Sequence, residues 1–200
     1  MAAYGDAKPQ LWIVAGPNGA GKSTLVGCGL AGRMPIINPD DIAFGLARRS
    51  DGTLDELLAG REALRARARM LDSGCNFAIE TTMSGSNPLR FMVDATRRGY
   101  ALTLVYVGIA SAALSLQRVR DRVAAGGHDV PVDAIMRRYP DTMAKLATAL
   151  GIIDRAYIVD NSGIRRRLLV KIEDGRATSV AANLPAWAVG AVPAHYRKRN

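Results

Sequence analysis

Two periods of apolar spacing alternate along this chain, and the switches between them mark its elements. Residues 11–15 are apolar at every position, the pattern of a strand buried on both faces. Residues 22–32 follow as a helix. A short apolar run at 34–37 predicts a second strand, ended by Asn38-Pro39-Asp40-Asp41, where acidic residues suit the start of a helix. From 53 to 72 the spacing is helical. Leu54, Leu57, Leu58, Leu64, Ala68 and Leu71 are assigned to one face, and Arg61, Arg65 and Arg69 to another.

Residues 76–82 read as a third strand, 89–98 as a helix stopped by Gly99, and 101–107 as the most β-like run in the chain. A helix over 111–125 ends at Gly126-Gly127. The next, over 131–149, contains Pro140, which predicts a kink or a division into two. Residues 156–160 read as a fifth strand, and 167–172 as its partner or as half of an edge hairpin through 173–175. Strands and helices alternating in this way predict parallel βαβ units in a three-layer α/β domain with a mainly parallel central sheet. One domain is expected over 1–183. A basic, irregular tail is expected over 184–200, where Pro185 and Pro193 interrupt the pattern.

Composition narrows this picture a little. The 200 residues are 48% hydrophobic, enough for one sizeable core. No apolar stretch approaches the roughly twenty residues that span a bilayer. The first six residues carry no basic and apolar export pattern, so a cytoplasmic location without membrane attachment is expected. Cys28 and Cys75 lack metal-ligand spacing and read as small buried fillers rather than a disulfide. The net charge of +9 points to a polyanionic partner, nucleic acid or a phosphorylated small molecule, or to arginine-rich solvated faces.

The chemistry concentrates at Gly16-Pro17-Asn18-Gly19-Ala20-Gly21-Lys22-Ser23-Thr24, which fits the Walker A pattern and directly follows the first strand. Its glycines let successive N–H groups converge on phosphate oxygens, and the helix start adds unpaired N–H groups and a positive dipole end. Lys22 suits contact with the β- and γ-phosphates, and Ser23 suits Mg²⁺. ATP and Mg²⁺ are therefore the expected cofactors. An LSGGQ-like signature is absent, which argues against a transport ATPase, and the missing N-K-x-D motif argues against a GTPase.

Asp40 and Glu80 follow strands, where ligands of parallel sheets bind. Asp40 is the candidate base for an acceptor hydroxyl, with Asp41 its rival, and either also suits a helix cap. Glu80 suits Mg²⁺ or the orientation of an acceptor, together with Thr81 and Thr82; alternatively it is a strand-end acid bonded to those threonines. Asp160 suits an Asx-type turn with Asn161-Ser162-Gly163. Arg118 and Arg122 lie four apart on one helix, and Arg137-Arg138 follow the Gly126-Gly127-His128 loop. Such guanidinium groups neutralise a transferring phosphoryl group, and the paired glycines give a loop freedom to close.

The ordered set GPNGAGKST, INPDDIA (37–43), FAIETTMSG (77–85), RVRDRVAAGGHDVP (118–131), RRY (137–139) and IVDNSG (158–163) resembles the zeta-toxin-type P-loop kinases over residues 10–165. The resemblance implies a kinase-type P-loop NTPase fold with a small helical lid, here about 118–140. It implies transfer of the γ-phosphoryl of ATP to an alcohol group of a small molecule, in the family's best-known members UDP-N-acetylglucosamine, and an antitoxin protein as partner. By position it makes Lys22 the P-loop lysine, Ser23 the metal ligand, Asp40 the base, and Arg122, Arg137 and Arg138 the lid cations, with Arg118 beside them. His128 stands near a lid arginine of the family. A nucleic-acid-directed kinase or ATPase and a non-enzymatic nucleotide switch are the competing readings.

Overall fold

The apolar run after Pro9 forms an interior strand of a seven-stranded sheet. In the computed structural model, which describes residues 8–38 and 56–198, that run is β1 (Gln10–Ala15). Then come α1 (Lys22–Gly29), β2 (Ile36–Ile37), α2 (Glu56–Ser73), β3 (Phe77–Thr81), α3 (Asn87–Arg97) and β4 (Ala101–Gly108). The chain continues through α4 (Ala112–Ala124), α5 (Val132–Leu150), β5 (Arg155–Asp160), β6 (Arg167–Glu173), β7 (Arg176–Val180) and α6 (Ala186–Ala191), with a 3₁₀ turn at Ala194–Tyr196. Asp40, Asp41 and Leu54 lie outside the described residues.

The strand order is β2-β3-β1-β4-β5-β6-β7. The first five strands pair in parallel, and the β6–β7 hairpin closes one side in antiparallel pairing. Alternation along the strands sends side chains into two separate cores. Leu11, Ile13, Leu102, Leu104 and Tyr106 meet α2, α3, the C-terminal half of α5 and the chain's end. Val14, Ala78, Val105 and Val107 face α1 and the start of α4. Helices on both faces explain why β1 and β4 are apolar at nearly every position, and the α/β class with a mainly parallel sheet holds.

Four expectations need correction. Pro140 does not divide the chain's longest described helix: α5 runs unbroken from Val132 to Leu150. Proline removes the donor for the carbonyl of Met136, but Met136 and Pro140 share an exposed face, so that carbonyl is open to solvent. On α2 the buried line is Ala63, Arg67 and Leu71, whereas Leu64 and Ala68 are exposed. The apolar residues of α2 do not all keep four-residue spacing, so apolar identity alone does not mark its buried face. Cys28 and Cys75 are free and exposed, since one lies on the outer face of α1 and the other in the turn before β3.

The end of the chain is not irregular. Trp187, Ala188, Ala191, Val192 and Tyr196 join the larger core. Gly108 ends β4 beneath the Trp187 ring, where an added β-carbon would approach the indole to 2.2 Å. The indole Nε1 donates to Asp160 Oδ1 at 3.0 Å. Among the described residues, no helix is long and apolar enough to cross a membrane.

Trp187→Ala is expected to cost about 3–5 kcal/mol of stability in urea unfolding, the range for emptying a large aromatic site. Trp187→Phe, which keeps most of the packing and loses the donor, is expected to cost about 1 kcal/mol. Equal losses in the two variants would refute the division between packing and hydrogen bond.

Candidate active site

The Walker A stretch is held open from three sides. Gly16, Gly19 and Gly21 have φ of 143°, 68° and 84°, a region that L side chains avoid. Each also meets a neighbour: an added β-carbon would lie 2.1 Å from the Val107 carbonyl oxygen at Gly16, 2.8 Å from that of Ser115 at Gly19, and 2.7 Å from Asn161 Nδ2 at Gly21. Ser115 Oγ donates to the Asn18 carbonyl at 2.6 Å, and Asn161 Nδ2 to that of Ala20 at 2.8 Å. Gly21 caps α1 without any side-chain bond to the helix's first N–H groups, which leaves them to converge on an anion. Lys22 is buried, and its Nζ donates to the Pro17 carbonyl at 3.0 Å.

Asn161 and Ser115 were not singled out as loop supports by sequence reasoning. A polar residue among the inward positions of α4 is the signal for Ser115, because a buried hydroxyl requires a partner. Asp160 forms the expected turn: its Oδ1 accepts from the Ser162 N–H at 3.3 Å and the Ser162 hydroxyl at 2.5 Å. That turn positions Asn161 against the P-loop.

Across the loop, β3 delivers Glu80. Ser23 Oγ donates to Glu80 Oε1 at 2.9 Å, and Asn38 Nδ2 to Glu80 Oε2 at 3.4 Å. The threonines have other partners. Thr81 Oγ1 accepts from the N–H of Met83 at 3.0 Å, holding that buried residue at φ 55°, and the Thr82 and Ser84 hydroxyls pair at 3.0 Å. The side chain of Glu80 therefore faces the P-loop rather than its neighbouring threonines. Among the described residues no group of three or more His, Cys, Asp or Glu side chains gathers as a metal cage. One hydroxyl and one carboxylate side by side are hard oxygen donors and fit Mg²⁺, which relies on substrate phosphates and water for its other ligands.

The segment expected as a helical lid comprises α4, the following loop and the first half of α5, and it has a small core of its own built on Val119, Val130, Ala134 and Ile135. Its arginines differ in duty. Arg118 is clamped to the β5–β6 turn, donating to the carbonyls of Asn161 at 2.6 Å and Ser162 at 3.3 Å. Arg122 Nη2 donates to the His128 carbonyl at 2.6 Å, while the His128 ring side is exposed. Arg137 is exposed and Arg138 half-buried. The two glycines form a helix stop rather than a free hinge. Gly126 N–H bonds the Val123 carbonyl and Gly127 N–H that of Arg122, both at 2.9 Å, a Schellman arrangement with Gly126 at φ 85°.

A cleft of about 1040 Å³ joins these parts. Apart from Gly16, Pro17 and Ala20, every candidate among the described residues lines it, from Asn18 through Arg138. The buried Arg67 of α2 lines it too, although in sequence it stands among the other arginines of that helix. Seven of the lining residues are Lys or Arg and three are Asp or Glu. Burial lowers the Arg67 pKa from its ordinary value.

A family model described as an AAA domain matches residues 11–142, from β1 through the first half of α5. The chain belongs to this family. An uncharacterized protein of Haemophilus influenzae is 30% identical over 139 residues, which are 66% of this chain and 99% of that one. The AvrRxo1-ORF1:-ORF2 complex with ATP is similar in fold, with TM-score 0.70 and 15% identity over 88% of this chain; the match spans 61% of that chain. The PezAT chromosomal toxin-antitoxin system of Streptococcus pneumoniae aligns with TM-score 0.54 and 21% identity over 82% of this chain and 75% of its own. At such identities the likeness is one of fold. Nucleotide binding by a P-loop, kinase-like α/β domain follows from the family and the loop geometry together.

Ser115→Ala leaves the Asn18 carbonyl without its donor. It is expected to cost about 1–3 kcal/mol and to weaken binding of a non-hydrolysable ATP analogue, read by denaturation and calorimetry. Unchanged affinity for the analogue would show that this brace does not shape the loop.

Proposed function

We propose that this protein is an ATP-dependent phosphotransferase that moves the γ-phosphoryl group to a hydroxyl of a small molecule. The observation that carries this reading is the Ser23–Glu80 contact of 2.9 Å at the P-loop, facing a cleft whose volume suits two substrates side by side. The backbone N–H groups of residues 16–24, the α1 N-terminus and Lys22 hold the triphosphate. Mg²⁺ would be held by Ser23 and Glu80, and when bound it neutralises triphosphate charge. Asp40, with Asp41 as rival, takes the proton of the acceptor hydroxyl. That oxygen bonds to the γ-phosphorus as its bond to the bridging oxygen breaks, and ADP leaves. Arg122, Arg137 and Arg138 meet the charge spread over the γ-oxygens. Arg118 acts through the β5–β6 turn that it clamps and that supports the P-loop, Thr81 and Thr82 shape the acceptor side, and the His128 carbonyl, bonded by Arg122, ties down the lid loop.

The resemblance to zeta-toxin-type kinases favours a nucleotide sugar such as UDP-N-acetylglucosamine as acceptor. It also favours an antitoxin protein as partner, in line with the two-component PezAT and AvrRxo1 neighbours. A nucleic-acid acceptor is the second reading, motivated by the net charge of +9 and the exposed Arg61, Arg65 and Arg69.

Incubation with Mg-ATP and a panel of nucleotide sugars is expected to give ADP and a phosphorylated product, abolished by EDTA and by Lys22→Ala. Asp40→Asn is expected to lower kcat about 10²–10⁴-fold. Intact turnover in Asp40→Asn together with loss in Asp41→Asn would move the base to Asp41. Turnover on oligonucleotides alone, with binding that falls steeply with salt, would replace the small-molecule acceptor.

A further inference from the structure

Among the described residues, Lys22 and Arg67 are the buried cations. Lys22 belongs to the nucleotide end of the cleft. Arg67 has no such duty. It occupies the buried line of α2 between Ala63 and Leu71, with 6% of its surface exposed, and it lines the cleft. No carboxylate of the described residues pairs with it. Its Nη2 donates to the Glu80 main-chain carbonyl at 3.3 Å, its guanidinium lies 5.8 Å from the centre of the Phe91 ring, and its Nε has no hydrogen-bond partner.

Burying a cation without a counter-charge is costly, and an apolar side chain of similar length would fill the same space with less penalty. The neighbours on this line are Ala and Leu, so packing alone does not call for arginine. An arriving anion would supply what the site lacks, and guanidinium presents a planar fork matched to phosphate or carboxylate oxygens. Position supports this: Arg67 bonds the main chain of Glu80, whose side chain bonds Ser23, and all three residues line the same cleft. We infer that Arg67 is a specificity-determining residue that receives an anionic oxygen of the phosphoryl acceptor. The acceptor then carries a phosphate or carboxylate besides its hydroxyl. This deepens the kinase reading and rests on it.

The test titrates inorganic phosphate, and separately acetate, into protein saturated with Mg²⁺ and a non-hydrolysable ATP analogue, followed by calorimetry. Wild type is expected to bind at least one of the two anions, and Arg67→Met to bind it at least about tenfold more weakly. Binding of phosphate alone indicates a phosphorylated acceptor, and of acetate alone a carboxylated one. The Arg67→Met melting temperature is expected to match or exceed that of wild type, because a merely structural arginine would leave a less stable protein on removal. Wild type that binds neither anion, or Arg67→Met that binds as tightly as wild type, overturns the inference. If Arg67→Met does not fold, Arg67→Lys decides: affinity about tenfold lower supports the role of the fork, and unchanged affinity overturns it. Absence of any response to the ATP analogue would sink the kinase reading alone, since the difference between wild type and variant still reads the Arg67 site.

Discussion

At Gly16 the end of β1 comes so close to β4 that a β-carbon would collide with the Val107 carbonyl oxygen. The rest of the site depends on that approach. It fixes where the loop leaves the sheet, and Gly19 and Gly21 are then pressed in the same way against Ser115 of α4 and Asn161 after β5. The phosphate cradle is therefore shaped by tertiary contacts as much as by its own glycines. A loop of this composition in solution would lose far more conformational entropy on binding a triphosphate than one already confined on three sides.

The helix α5 serves two bodies. Its first half packs in the small lid core with Val119 and Val130, and its second half places Leu146, Ala149 and Leu150 in the main core. The junction is pinned by Tyr139, whose hydroxyl donates to the Ile109 carbonyl at 2.9 Å, and by Tyr106 beneath Thr142. With Gly126 and Gly127 used as a helix stop, the loop between α4 and α5 is a poor candidate for a flexible joint. The α4–α5 unit is better described as seated on the sheet, with Arg118 fastening it to the turn that also supports the P-loop.

Much of this was legible in the chain. The Walker A residues, the strand before them and the βαβ alternation each follow from local pattern, which is why the sheet and the position of Glu80 emerge directly. What local pattern does not carry is the partner of a side chain. Arg67 reads as one member of an arginine-rich helix, and only its place on the line through Ala63 and Leu71 separates it from the solvated Arg61, Arg65 and Arg69. Pro140 reads as a break because its cost depends on whether the freed carbonyl meets water, a tertiary fact. The end of the chain reads as a tail because a six-residue helix has too few positions to show a period.

Trp187 connects that last helix to the site through Asp160, whose turn places Asn161 on the loop. The order of synthesis gives this link a consequence. A chain that grows from its N-terminus exposes β1, the P-loop and all seven strands before Trp187 exists to cover Gly108 and bond Asp160. During that interval one side chain of the loop's outer wall lacks its final constraint. The nascent protein thus passes through a stage in which its sheet can be paired while its nucleotide site is still unfinished.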